Sequence, residues 1–133
     1  MIELKSNYKG FEYLIWFHEQ DGFRCGYVGL PKGHKWYGED YDDIPVNAHG
    51  GLTFSGLQTI FGSELWWIGF DCAHYGDGLD LELVRELCGD ERADMLAKYR
   101  LNVGHIWTKE DVREECLNMI DQICSKDRKS ITL

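Results

Sequence analysis

The residues with the clearest chemical potential are three histidines and a cysteine in the middle of the chain. His34 ends the segment Pro-Lys-Gly-His, His49 precedes two glycines, and Cys72 and His74 stand two positions apart in Asp-Cys-Ala-His. Glycine beside a ligand lets the backbone approach closely and adopt positive φ, which allows side chains from separate segments to converge. Imidazole and thiolate are good zinc ligands. The cluster therefore predicts a zinc site formed by His34, His49, Cys72 and His74.

The expected elements could bring these four side chains together. On a regular strand, Cys72 and His74 would project to the same face. His49 lies at the entrance to a neighbouring strand and could meet them across the sheet, while His34 could complete a tetrahedron from a long loop. A metal-free domain, in which the histidines satisfy backbone groups, is the alternative.

Two aspartates are reserve ligands for this site. Asp71 ranks below Asp77, because on a regular strand it would point to the opposite face from Cys72. The two remaining histidines, His18 and His105, stand apart from the cluster, and we expect both to be structural or surface residues.

Catalytic motifs do not accompany the cluster. The sequence has no Gly-x-Ser-x-Gly elbow, no phosphate-binding glycine loop and no deaminase signature. A thiolate–imidazole pair involving Cys72 is a less favoured possibility. We therefore expect no enzymatic activity and no catalytic residues. The alternative is a small metal-dependent hydrolase with an open metal position and a general base from Asp71, Asp77 or Glu64.

Composition and charge indicate one acidic domain. The chain has 133 residues, so we expect a single metal-binding domain over residues 1–133. Acidic residues outnumber basic ones by 23 to 14, a net charge of −9, which disfavours nucleic acid and favours a basic protein partner, although it also supplies ordinary solubility. The five cysteines fit no disulfide framework, and no secretory or membrane-spanning pattern is visible, so we expect free thiols and a cytoplasmic location.

Residues 31–48 are expected to form a long loop that carries a partner-binding surface. Loops of this length are usually functional or have some structure of their own. Aromatic side chains among charges are typical of interface anchors, although here they could equally cover a small core, and the acidic run could simply be solvated. The predicted partner-binding residues are Trp36, Tyr37, Glu39, Asp40, Asp42 and Asp43.

The elements that must position these residues are strands followed by helices. Alternating and β-branched patterns predict four strands joined by short turns, hence an antiparallel sheet, and helical spacing of apolar residues predicts C-terminal helices packed on it. This order favours an α+β fold. Thr108 is a predicted N-cap, and the predicted buried face of the helix after it is Val112, Cys116, Met119, Ile120 and Ile123. The predicted strands cover residues 11–17, 23–30, 50–55 and 65–72, and the predicted helices cover residues 79–88, 93–101 and the segment after Thr108.

Three segments resemble a family of small proteins common in phages and prophages of Gram-positive bacteria. They read GLPKGH over residues 29–34, AHGGLTF over residues 48–54, and WIGFDCAH over residues 67–74, with Gly-Asp at residues 76–77. The resemblance covers residues 26–77, less than half of the chain, and extends to a metal-containing inhibitor of type II CRISPR systems. It implies an anti-CRISPR protein that binds the host RNA-guided nuclease and blocks the loading or cleavage of target DNA. That nuclease holds its guide–target duplex in a positively charged channel, which suits an acidic partner.

Overall fold

The computed structural model of the chain describes residues 1–61, 64–99 and 104–131. It has the α+β class that the sequence predicts, with the main sheet before residue 72 and the α-helices after residue 80. Two single-turn 3-10 helices, Tyr41–Asp43 and Thr59–Phe61, lie in the first half of the chain. The elements are β1 (Ile2–Tyr8), β2 (Phe11–His18), β3 (Phe23–Leu30), β4 (Phe54–Leu57), β5 (Trp66–Asp71), β6 (Asp77–Gly78), α1 (Leu81–Cys88), α2 (Asp90–Tyr99), β7 (His105–Ile106) and α3 (Lys109–Ile131).

The main sheet is antiparallel and has the order β1-β2-β3-β5-β4. The hairpin of β2 and β3 confirms the predicted strand, turn and return strand, with His18 opposite Phe23 and Asp21-Gly22 in the turn. The predicted strand over residues 50–55 begins later, at Phe54, because the chain turns at Gly50 and Gly51 before it reaches the sheet.

The sheet has five strands, so the prediction of four strands was wrong. The additional strand is β1, which pairs with β2 and forms one edge of the sheet. Lys9 and Gly10 both have positive φ, 50° and 85°, and join Tyr8 to its partner Phe11. This is the geometry of a two-residue hairpin turn. Lys-Gly is not one of the dipeptides that usually signal such a turn, so the strand before it was missed.

The long helix α3 covers one face of the sheet. Its predicted buried face is confirmed, since Val112, Cys116, Met119, Ile120 and Ile123 are fully buried. They pack against sheet residues that include Ile15, Val28 and Phe70. Thr108 caps α3 as predicted: its Oγ1 accepts from the Asp111 amide, and its own amide donates to the Asp111 carboxylate, both at 3.1 Å. The main hydrophobic core therefore lies between α3 and the sheet.

The shorter helices pack at one end of the sheet, where Val84 and Ala93 contact Phe17. Asp80 caps α1, and Gly89 ends it as the sequence predicts. The predicted second helix is α2 as far as residue 99, while residues 100 and 101 lie outside the described residues. Before α1, β6 pairs in parallel with β7. Among the described residues, no helix combines the length and the apolar character that crossing a membrane requires.

Candidate metal centre

A group of metal-ligating side chains lies beyond the end of β5. The ligand atoms of His49, His74 and Asp77 all lie within 4.8 Å of one another, and this is the one such group of three within the described residues. His49 Nε2 lies 2.8 Å from Asp77 Oδ1, and His74 Nδ1 lies 3.6 Å from Asp77 Oδ2. Two imidazoles and one carboxylate are ligands that suit transition metals. The group could therefore hold a metal ion.

The turn after β5 positions two of the three side chains. The strand ends at Asp71, and the chain then reverses direction. The Asp77 amide donates to the His74 carbonyl at 2.9 Å, and the His74 amide donates to Asp77 Oδ2 at 3.0 Å. The Ala73 amide donates to Asp71 Oδ1 at the start of the turn. The backbone of the turn thus holds the His74 and Asp77 side chains next to each other.

The loop before β4 supplies the third side chain. Gly51 donates to the Ala48 carbonyl at 2.8 Å, and Gly50 and Gly51 have φ values of +69° and +85°. A Cβ atom on Gly50 would lie 2.4 Å from His74 Cε1. Glycine at position 50 therefore allows the His74 ring to lie against the loop. The rings of His49 and His74 meet edge to face, with their centroids 5.7 Å apart.

Two features of the group fit a bound cation, namely a buried carboxylate and a buried imidazole nitrogen. The Asp77 side chain is only 4% exposed. Burial opposes its ionisation, but hydrogen bonds from His49 and from the His74 amide hold the pKa of Asp77 below its ordinary value. His74 Nδ1 is buried and has no hydrogen-bond partner among the described residues, and a buried polar atom of this kind needs an explanation. It lies 3.5 Å from Asp71 Oδ1 and 3.6 Å from Asp77 Oδ2.

The structure brings together two of the four predicted ligands, His49 and His74, and places the other two elsewhere. Cys72 is 1% exposed and packs in the main core, where burial raises the pKa of its thiol. His34 accepts from the Trp36 amide at Nδ1, and its Nε2 lies 3.1 Å from both carboxylate oxygens of Asp127. It thereby ties the long loop to α3. The reserve ligand Asp77 belongs to the group instead.

The two other candidate general bases, Asp71 and Glu64, lie outside the group and have different surroundings. Asp71 lies beside His74 but outside the three-residue group, and its Oδ2 accepts from Thr53 Oγ1 at 3.1 Å. Glu64 is exposed and pairs with Lys32. Of these two carboxylates, Asp71 is therefore the one that lies next to a ligand side chain of the group.

The two histidines expected to be structural or surface residues lie outside the group. His18 stacks on Phe23 with a centroid distance of 4.3 Å. His105 is exposed, and its Nε2 lies 2.9 Å from Asp111 Oδ2.

The predicted partner-binding loop combines exposed charges with aromatic rings that contact the rest of the domain. Trp36 is half-buried and packs against the main core. The Tyr37 hydroxyl donates to the Glu64 carbonyl at 2.8 Å, and Trp66 Nε1 donates to the Glu39 carbonyl at 2.9 Å. These contacts hold the loop against the sheet. The four predicted acidic residues remain exposed, namely Glu39, Asp40, Asp42 and Asp43.

Two residues that the sequence analysis did not single out contact or support the site. Trp107 stacks on His49 with ring centroids 4.1 Å apart, and Arg24 donates to the Trp107 carbonyl at 2.9 Å. No motif signalled either residue, because both reach the site through tertiary packing.

Searches of protein-family models, curated proteins and solved structures found no match to this chain.

Proposed function

We propose that this protein binds one zinc ion through His49, His74 and Asp77. The observation that carries the proposal is the buried Nδ1 of His74, which has no hydrogen-bond partner within the described part of the chain and lies beside two carboxylates. A cation between these atoms would satisfy the nitrogen and the negative charge together. Zinc is favoured over calcium or magnesium because two of the three ligands are imidazoles, whereas those hard cations prefer oxygen ligands.

The test of the metal proposal is zinc titration of purified protein, followed by competition with a chelator. We expect one high-affinity site per chain, which His74→Ala removes. His34→Ala is the matched control, because the His34 ring is bound to Asp127 on α3 and lies outside the group. Equal zinc binding by both variants would contradict the assignment.

The biological role we propose is inhibition of a host RNA-guided nuclease by occupancy, in the bacterial cytoplasm. Its support is the sequence resemblance, the net charge of −9 and the exposed carboxylates of the long loop. These charges favour a basic protein surface and disfavour direct binding to nucleic acid. The test is binding of the purified nuclease with its guide, together with an assay of target cleavage. No binding at micromolar concentration and intact cleavage would end this proposal.

A second candidate function, a metal-dependent hydrolase, is favoured by the number of ligands. A structural zinc site is usually closed by four protein ligands, whereas a catalytic site keeps a position for water. Within the described residues the group has three candidate protein ligands, and the His49 and His74 side chains are 25% and 34% exposed. Asp71 is the candidate general base.

The hydrolase candidate is tested by assaying zinc-loaded protein on ester, phosphodiester and peptide substrates. The inhibitor proposal expects no turnover. If the wild-type protein turns over one of these substrates, and Asp71→Asn abolishes the turnover while it still binds zinc, the protein is an enzyme. Glu64→Gln is the matched control, because Glu64 is an exposed carboxylate paired with Lys32 away from the group.

A further inference from the structure

We infer that Trp107 is a positioning residue for the metal ligand His49, and that the buried Arg24 holds Trp107 in place. The inference deepens the proposed metal centre and therefore rests on it. It concerns a segment remote in sequence from all three ligands.

The contact between Trp107 and His49 covers one face of the imidazole. The ring centroids lie 4.1 Å apart, and the ring planes meet at 31°. A histidine side chain rotates about two bonds, so a free imidazole must lose orientational freedom before its Nε2 can bind a metal. The indole restricts the plane of the ring in advance. Groups that orient a ligand in this way contribute to metal affinity without touching the metal.

Arg24 fixes the backbone of Trp107 from inside the protein. Its guanidinium is 5% exposed and forms two hydrogen bonds to Glu3, at 2.6 and 3.2 Å, and an ion pair with Asp80 at 2.9 Å. Nη1 also donates to the Trp107 carbonyl at 2.9 Å. The Arg24 carbonyl accepts from the Cys72 amide at 2.9 Å, where the ligand-bearing turn begins. A single buried residue thus bonds both to the turn and to the segment that carries Trp107.

A close backbone approach sets the position of the same segment relative to Asp77. Asp77 pairs with His105 between β6 and β7, and the His105 amide donates to the Gly76 carbonyl at 3.1 Å. A Cβ atom on Gly104 would lie 2.0 Å from the Gly76 carbonyl oxygen, so the two backbone segments approach each other at a distance that only glycine permits. Trp107 follows directly after this pair of strands, which places its ring against His49.

The experiment measures zinc affinity and apo-protein stability separately. The probes are Zn²⁺, in competition with a fluorescent chelator, and Co²⁺, whose visible absorption reports ligand geometry. The variants are Trp107→Ala and Trp107→Leu; the second keeps apolar volume without the flat ring. Trp16→Ala is the matched control, because Trp16 is a half-buried tryptophan that packs in the separate cluster around Phe61.

We expect both Trp107 variants to weaken zinc binding by about 10- to 100-fold, the range for groups that orient a ligand, and to alter the Co²⁺ spectrum. Trp16→Ala should lower the melting temperature of the apo protein without changing zinc affinity by more than about twofold. If Trp107→Ala does not fold, Trp107→Leu decides. Zinc affinity in Trp107→Leu within twofold of wild type would overturn the inference. If wild-type protein binds no zinc, the metal centre itself is wrong.

Discussion

The substitution Gly50→Ala tests whether the loop before β4 positions His74. The new Cβ would lie 2.4 Å from His74 Cε1, 2.6 Å from Nδ1 and 2.8 Å from Nε2. Ordinary carbon contacts begin near 3.5 Å, so the imidazole must move by about 1 Å. A metal–ligand distance can deviate from its ideal value by only about 0.2 Å. The displaced ring should therefore lose its place in the site, and zinc affinity should fall by about tenfold or more.

A second cost of Gly50→Ala comes from the backbone, and Gly51→Ala isolates it. Gly50 and Gly51 have φ values of +69° and +85°, where a side chain costs about 1–2 kcal/mol. For a chain of this size we expect each variant to lower the melting temperature by about 4–8 °C. Among the residues that the structure describes, no atom lies within 4 Å of a Cβ placed on Gly51. Gly51→Ala should therefore show the backbone cost alone, and its zinc affinity should stay near that of wild type.

The assays are thermal unfolding of the metal-free variants and zinc titration against a competing chelator. Both variants should lose stability in the first assay, Gly50→Ala at least as much as Gly51→Ala, and only Gly50→Ala should lose zinc affinity in the second. If Gly50→Ala binds zinc as tightly as Gly51→Ala, the close contact between the loop and the His74 ring does not matter for metal binding, and the reasoning fails.

Three further predictions test other parts of the account. Ile120→Ala leaves a cavity between α3 and the sheet and should reduce the free energy of unfolding in urea by about 2–5 kcal/mol; a loss below 1 kcal/mol would contradict the described core. Burial opposes the ionisation of Asp111, but hydrogen bonds from Thr108 and His105 hold its pKa below the ordinary value. This carboxylate therefore stabilises the fold above its unfolded pKa of about 3.9, and the stability is lost as the pH falls through the folded pKa. Because Asp111 is partly exposed and its charge is screened by solvent, Asp111→Asn should cost only about 0.3–1 kcal/mol at neutral pH and little in acid, as urea unfolding at both pH values would show. An equal cost at both pH values would contradict the charged role of Asp111 in capping α3. A variant that combines Asp40→Lys, Asp42→Lys and Asp43→Lys reverses the charge of the exposed loop. In binding kinetics it should associate more slowly with the RNA-guided nuclease, and its association rate should depend less on salt. An unchanged association rate would show that the loop is not part of the interface.

Local patterns predicted the elements whose signals lie within a few residues. The hairpin of β2 and β3 follows from two apolar runs around Asp-Gly, and the buried face of α3 follows from helical spacing after Thr108. β1 was missed because the alternation of apolar and polar residues along it is weak, and because the turn after it is Lys-Gly. Hydrophobic spacing and turn dipeptides were therefore sufficient for the fold class and insufficient for the strand count.

The site was predicted in part, because its geometry depends on where β5 ends. The expectation that Cys72 and His74 share a face requires a regular strand through both residues, but the strand stops at Asp71. Cys72 then faces the core, and the turn brings Asp77 back beside His74. The partner of His34 is Asp127 on α3, and no local pattern in the sequence connects the two.

X-ray absorption spectroscopy of the zinc-loaded protein tests the central claim most directly, because it distinguishes sulfur from nitrogen and oxygen ligands. With His49, His74 and Asp77 as the protein ligands, the first shell should contain only nitrogen and oxygen atoms at about 2.0–2.2 Å. Imidazole scattering should correspond to two histidines. A sulfur atom at about 2.3 Å would return Cys72 to the site and contradict the account. Failure of the protein to retain zinc at all would contradict it as well.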